Sequence, residues 1–362
     1  MAKSLKRRKD MKKIIARPLC IILMLAMLVP MMGIMAGAAE VTNLYVAADA
    51  TIGTPAKTKD DAASGNRLYV SSAAIPVKAG DVVTFGPVLP GQGYYITTYD
   101  ADGNQKIAQI KYADCTSVAV VTPSAEIVKW TVTEGSAYVR VVNSQMFKDN
   151  TMITVNREFT AAEYFAEMDK KGINVDCVRP TTAKEPLVNL FPTSDATFLG
   201  RSDSSKIEVA SDAYRTSAYI PVKGGDVLYF GAAVKSQGYQ LTLFGADKKP
   251  LTNVKIAYMV EYADLGDGLA IYAYSMPHDA EYVRVVAATS VYDAGKQLAT
   301  INQPFNAEGY NNFFNPPETT EPAPETTEPP VSSDTGDTAV IFAAIAMISL
   351  AGVAVVAKRR EN

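Results

Sequence analysis

Two short segments carry the side chains best suited to holding a ligand. Read with the two-residue period of a strand, Tyr138–Val142 points Val139 and Val141 one way and Tyr138 and Arg140 the other. In Tyr94–Tyr99 the same period puts Tyr95, Thr97 and Tyr99 opposite Ile96. Farther along, Gln240, Thr242 and Phe244, then Tyr282 and Arg284, occupy corresponding places. Aromatic rings stack on the apolar side of a pyranose, and a guanidinium fork bonds hydroxyls or carboxylates. The expected ligand-binding set is therefore Tyr95, Tyr99, Tyr138, Arg140, Phe244, Tyr282 and Arg284, and the chemistry is sugar capture. A second reading of the same pattern has these side chains clothe the solvent side of a sheet, the arginine stem packed along a ring.

Other chemistries find less material. Asp100-Ala101-Asp102-Gly103-Asn104 resembles part of a Ca²⁺ loop, because alternating acidic oxygens suit a hard cation, but Asp-Gly is also a hairpin-turn pair. The matching Gly245-Ala246-Asp247-Lys248 loses one carboxylate and gains a cation, so no metal site is expected. Trp130 is the only tryptophan and reads as a core residue or a binding platform. His278 is the only histidine, set in a turn-like Met-Pro-His-Asp, which is poor ground for Ser-His-Asp or Cys-His catalysis. No phosphate-cradling glycine loop, HExxH or CxxC stands in the chain. The chain is expected to be non-catalytic and to need no cofactor.

Charge narrows the partners. Between residues 39 and 357 the chain carries 24 Lys and Arg against 36 Asp and Glu, a net −12. An acidic body repels phosphate backbones, so no nucleic-acid partner is expected.

The elements that must position these residues come in duplicate. Ile75-Pro76-Val77-Lys78-Ala79-Gly80-Asp81-Val82 returns as Ile220-Pro221-Val222-Lys223-Gly224-Gly225-Asp226-Val227. Gln92-Gly93-Tyr94 returns as Gln237-Gly238-Tyr239, and Tyr138-Val139-Arg140-Val141-Val142 as Tyr282-Val283-Arg284-Val285-Val286. Short runs rich in Val, Ile, Tyr, Thr and Phe alternate with Gly, Asp, Asn and Pro breaks, which is strand patterning. The first copy predicts strands at Leu68–Val77, Val82–Phe85, Tyr94–Tyr99, Ile127–Val132, Tyr138–Val142 and Met152–Val155. The second predicts Ala218–Val222, Val227–Phe230, Tyr239–Phe244, Leu269–Tyr274, Tyr282–Val286 and Leu298–Ile301. Many short strands at this spacing predict an all-β chain of two tandem antiparallel β-sandwich, jelly-roll-like domains, each closed by a short C-terminal helix or turn. In the first copy Thr160 and Glu163 form a capping box before Ala161, Tyr164, Phe165 and Met168 on one stripe, with Gly172 as the stop. The repeated runs resemble the jelly-roll modules of bacterial surface proteins, secreted hydrolases and phage tail fibres, a resemblance that implies carbohydrate binding or attachment.

Both ends read as addresses. A basic start, an apolar run from Leu19 to Met32 and Ala36-Gly37-Ala38-Ala39 predict a secretory signal peptide cut after Ala38 or Ala39. Ala339–Ala357 is uncharged, apolar and long enough for one C-terminal transmembrane helix, and Lys358-Arg359-Arg360 after it predicts a cytosolic tail. With Thr335-Gly336 upstream, the order of parts resembles the sorting signal of Gram-positive surface proteins. That resemblance implies cleavage between Thr335 and Gly336 by a sortase and linkage to peptidoglycan. Ser332-Ser333 stands where that family has Leu-Pro, and a plain membrane anchor is the alternative. The run Pro316–Pro330, rich in Pro, Thr and Glu, predicts a disordered, extended stalk of roughly 45 Å at ~3.1 Å per residue.

The expected order is signal peptide 1–38, first copy 39–172, linker 173–186, second copy 187–315, stalk and sorting motif 316–338, anchor 339–357 and tail 358–362. The expected function is surface display of a binding protein for a glycan or a surface-protein ligand. A structural spacer or a protein–protein component of the cell envelope is the alternative.

Overall fold

The computed structural model describes residues 41–179, 186–191, 199–200 and 209–316, with backbone alone at 199–200 and 209–210. The expected signal peptide with Ala38 and Ala39, the stalk beyond Pro316, Thr335, Gly336, the anchor and the tail lie outside these residues. Among the described residues no helix is long and apolar enough to cross a membrane.

The first repeat runs β1 (Thr51–Ile52), β2 (Tyr69–Ser71), β3 (Ile75–Pro76), β4 (Val82–Val88), β5 (Ile96–Tyr99), β6 (Gln105–Ile110), β7 (Thr116–Thr122), β8 (Ala125–Thr131), β9 (Tyr138–Ser144), β10 (Met152–Val155) and α1 (Ala161–Lys170). The second runs β11 (Leu199–Gly200), β12 (Val209–Ala210), β13 (Tyr214–Thr216), β14 (Ile220–Pro221), β15 (Val227–Val234), β16 (Tyr239–Phe244), β17 (Pro250–Lys255), β18 (Val260–Gly266), β19 (Leu269–Ser275), β20 (Tyr282–Ala288), α2 (Thr289–Asp293), β21 (Leu298–Ile301) and α3 (Ala307–Phe314). In the first repeat one sheet is ordered β1-β2-β9-β5-β6, with β3 also on β9, and the other β10-β4-β8-β7. The second repeats this as β13-β20-β16-β17, with β14 on β20, and β18-β19-β15-β21. All of these pairings are antiparallel.

The mostly-β reading holds, with a handful of short helices. Predicted strands agree except in extent; the short β1, β11, β12 and β13 were missed, and so were the longer β6, β7, β17 and β18. Their charged and polar residues hide the alternation, since β6 is Gln-Lys-Ile-Ala-Gln-Ile and β18 holds Glu261 and Asp264. Leu68–Val77 is two strands, broken at Ser72, whose carbonyl and hydroxyl are both turned to bonds with β9.

The repeated motifs prove to be turn chemistry. Asp81 Oδ2 accepts the Lys78 amide at 2.9 Å and its Oδ1 accepts from Asn156 Nδ2 at 2.9 Å, while Asn156 Oδ1 accepts the Val82 amide at 3.0 Å. Asp226, Lys223, Asn302 and Val227 reproduce this, at 2.8–2.9 Å. Asn156 and Asn302 sit at φ +58° and +55°, a conformation Asn tolerates better than most residues. Gln92 Nε2 donates to the Tyr94 and Val142 carbonyls, and Gln237 Nε2 to those of Tyr239 and Val286, tying strand to strand. At α1 the capping box is present: Thr160 Oγ1 accepts the Glu163 amide and Glu163 Oε2 accepts the Thr160 amide.

Within the first repeat, Ile96, Val139 and Val141 of one sheet share a buried cluster with Phe85, Val128 and Trp130 of the other. The outer side of the second sheet is not free. Ala125, Ile127, Phe147 and Met152 join one large cluster with Tyr229, Tyr272, Phe305 and other second-repeat residues. Val175, Cys177 and Val178, in the segment expected as a linker, are buried in that cluster. Polar contacts stitch the same seam: the Tyr69 and Tyr258 hydroxyls lie 2.9 Å apart, Ser124 Oγ accepts the Glu261 amide at 2.6 Å, and Arg67 pairs with Asp279. Tyr262 donates to the Arg179 carbonyl, and His278 Nε2 meets Asp149 Oδ2 at 2.8 Å. The described residues all belong to one compact unit ending at Pro316. Two separate sandwiches on a linker therefore give way to an assembly of four sheets of four to six strands, propeller-like in that count, beside the two-stranded β11-β12 sheet, with a core that crosses the repeats.

Candidate binding cleft

Strand pairing sets the site. β5 lies beside β9 with Thr97 opposite Arg140 and Tyr99 opposite Tyr138, so these four side chains share one face. Alternation identified that face correctly for them. It failed for Tyr95, which precedes β5 and packs into the core against Phe85 and Tyr112, its hydroxyl donated to the Leu89 carbonyl.

The face is covered rather than open. Tyr95 and Tyr99 are 0% exposed, Arg140 3%, Phe244 1% and Arg284 5%; only Tyr138 and Tyr282 are half-buried. The covering segment in the first repeat is residues 51–74. Arg140 fastens it: Nε donates to the Ser72 carbonyl (2.7 Å), Nη1 to the Asp61 carbonyl (2.7 Å) and Nη2 to Thr51 Oγ1 (2.8 Å). Tyr99 donates to the Ala56 carbonyl in the same segment. Burial pushes the Tyr99 phenol above its ordinary range, and nearby Arg140 partly offsets this. Arg140 and Tyr99 are thus structural anchors, a correction to their expected place in a sugar-stacking surface.

A cleft of about 420 Å³ remains where the segment meets the face, lined by Asp49, Thr51, Lys59, Asp60, Asp61, Tyr138 and Arg140 among others. Lys59 Nζ bonds Asp60 Oδ1 at 2.6 Å and lies 5.0 Å from the centre of the Tyr138 ring. The bond to Asp60 holds the Lys59 ammonium above the usual lysine range. Exposed carboxylates of Asp49 and Asp61 complete a rim of hydrogen-bond acceptors. The run Lys57–Asp61 was the available sequence signal for this rim, and because it is not repeated the duplication did not draw it out.

The second repeat builds a related cluster by other means. Phe244 is opposite Tyr282 and Thr242 opposite Arg284, and Tyr219 meets both Phe244 and Tyr282 edge-on. Arg284 Nε donates to the Ser217 carbonyl at 2.7 Å, as Arg140 does to Ser72. The ammonium near the tyrosine comes from Lys248, 5.2 Å from the Tyr282 ring and 5.0 Å from that of Tyr219. An amine thus sits over the same tyrosine in both repeats, supplied by a different loop each time.

The remaining candidates fall elsewhere. Asp100–Asn104 is a hairpin turn, with Asp100 Oδ1 accepting the Asn104 amide and Gly103 at φ +82°. Among the described residues no cluster of three or more His, Cys, Asp or Glu could hold a metal ion. Trp130 is buried at 7% exposure opposite Val83. Cys115 and Cys177 are free thiols, each pushed up to about 12 by burial.

No family model matches the chain, and no curated protein does. Among solved structures, those of oxalate decarboxylase, including a Bacillus subtilis mutant, align at 11% identity over 61% of this chain and 68–69% of theirs, with a TM-score of 0.12. Salicylate 1,2-dioxygenase from Pseudoaminobacter salicylatoxidans aligns at 8% identity over 65% of this chain and 76% of that one, with a TM-score of 0.11. Likenesses this slight carry neither fold nor activity to this chain.

Proposed function

We propose that this chain is an exported, surface-anchored, non-catalytic binding protein that captures carbohydrate. The observation that carries the reading is the Tyr138 cleft, where a half-buried aromatic stands among acceptor carboxylates and one ammonium. Hydroxyl-rich ligands suit such a rim, because each carboxylate accepts from sugar hydroxyls and the ammonium donates to them. The signal-like start, the acidic Pro-rich stalk and the apolar span with its basic tail support display outside the cell, on a membrane anchor or, after sortase cleavage, on peptidoglycan.

The test is a panel of glycans and insoluble polysaccharides probed with wild type, Tyr138→Ala and Tyr282→Ala. Binding that falls at least tenfold in Tyr138→Ala supports the reading. A blank panel from folded protein sinks it. One observation favours a second reading, that of a rigid spacer or a component that contacts other envelope proteins. The expected sugar-stacking face is largely covered, and the repeats are welded through a common core.

A further inference from the structure

The seam between the repeats encloses a second cleft, of about 240 Å³, with Leu89, Pro90 and Ser124 on the first-repeat side and Met259, Glu261 and Tyr272 on the other. Its walls are apolar, and its polar groups sit together. Glu261 Oε1 bonds Lys235 Nζ at 2.6 Å, and the same ammonium reaches Asp264 Oδ2 at 3.2 Å. The Glu261 carboxylate is thus already paired before any ligand arrives, and the cluster keeps a net negative charge that disfavours an anion. Tyr272 lies beside the same carboxylate. Ser124 Oγ accepts the Glu261 amide with one of its two lone pairs, and its O–H is a donor besides. A charged ligand gains little in such a place. A neutral one with an apolar flank and hydroxyls on its rim satisfies both walls and polar groups.

The duplication of the chain does not duplicate this lining. Where the first repeat has Leu89-Pro90-Gly91 the second has Val234-Lys235-Ser236, and Lys235 is the residue that pairs with Glu261 and Asp264. Each repeat supplies part of both surfaces, Leu89, Pro90 and Ser124 from the first and Met259, Tyr272 and Glu261 from the second, so neither repeat builds the site alone.

We propose that this seam cleft is a ligand site for a single neutral pyranose unit, one per chain. The proposal rests on the carbohydrate reading above and names a site separate from the Tyr138 cleft. The probe is a set of methyl glycosides of neutral hexoses, followed by saturation-transfer NMR and titration calorimetry. The protein is the full chain, kept in a detergent without a sugar headgroup. Ala257 also lines the cleft, and in a Tyr138→Ala chain the expected result is binding at one site that weakens more than tenfold in Ala257→Phe, whose ring fills the cleft. It weakens several-fold in Glu261→Gln, which preserves its volume in case the first variant disturbs the seam. Both seam variants are made in the Tyr138→Ala chain so that the Tyr138 cleft adds nothing to the reading. Glycoside binding that survives both seam variants, or that vanishes in Tyr138→Ala, overturns the seam site and leaves the carbohydrate reading standing. If neither the glycosides nor any polysaccharide binds, both fall.

Discussion

Arg140 Nη2 donates to Thr51 Oγ1 at 2.8 Å across 89 residues of chain, and this bond helps hold the covering segment against the face of β5 and β9. The arginine is 3% exposed and makes two further bonds to backbone carbonyls. Its role follows from that geometry: the positive charge is buried because three acceptors surround it.

Arg140→Ala should therefore be a folding defect before it is a binding defect. Removing it leaves the Ser72 and Asp61 carbonyls short of a donor, for a loss of about 3 kcal/mol given that bonds to charged groups contribute ~1.5–3 kcal/mol each in mutational series. Arg140→Lys should recover little, since an ammonium cannot reproduce the three-way fork. Denaturant melts of both variants beside Tyr138→Ala check this, with Tyr138→Ala expected to lose the least.

The shared core predicts that the repeats unfold together. Phe147 is fully buried in the cluster that crosses the seam, so Phe147→Ala should cost about 3–5 kcal/mol. Trp130 fluorescence reports the first repeat and far-UV circular dichroism the whole chain. The two transitions should coincide and shift by the same amount. Separate midpoints would mean that the seam contributes little.

Both thiols should be inert while the protein is folded. Burial holds Cys115 and Cys177 near a value of about 12, which leaves almost no thiolate at pH 8. Alkylation at each position, followed by peptide mass spectrometry, should run more than about a hundredfold slower than for an unfolded control. Cys177 should react only on global unfolding, because it lies inside the common core.

The Asp81 turn makes stability fall in acid. The bond from Asn156 Nδ2, with that from the Lys78 amide, holds the Asp81 carboxyl below its ordinary range. A carboxylate with a lowered folded value stabilises the fold at pH values above its unfolded one and loses that contribution as the pH drops through the folded one. Wild type should thus have the higher Tm than Asn156→Ala at pH 7, and the gap should close steadily below about pH 4. A gap that is constant with pH would remove Asp81 from the explanation.

The helix cap offers a local control. Thr160→Ala removes one side of an observed capping box and should cost about 1 kcal/mol, with no effect on ligand binding.

Much of the local structure was written in the residues. The Lys-x-Gly-Asp turns bond the Lys amide three residues back and the capping box spans three positions, so their local halves are visible in a linear chain. The Asn156 bond to Asp81 and the Gln92 bond to Val142, by contrast, join partners 75 and 50 residues apart that only the repeated pattern hinted at. The strand faces of Thr97, Tyr99, Tyr138 and Arg140 were legible because alternation is a property of the backbone. Alternation says which way a side chain points and nothing about what lies over it. Residues 51–74 fold across that face and turn two expected ligand contacts, Tyr99 and Arg140, into anchors. The seam was invisible for a related reason: it brings Tyr69 to Tyr258 and Ser124 to Glu261, pairs with no periodic relation in the sequence. Local propensity decided the strands and turns of this protein. Long-range packing decided which of its surfaces were left to meet a ligand.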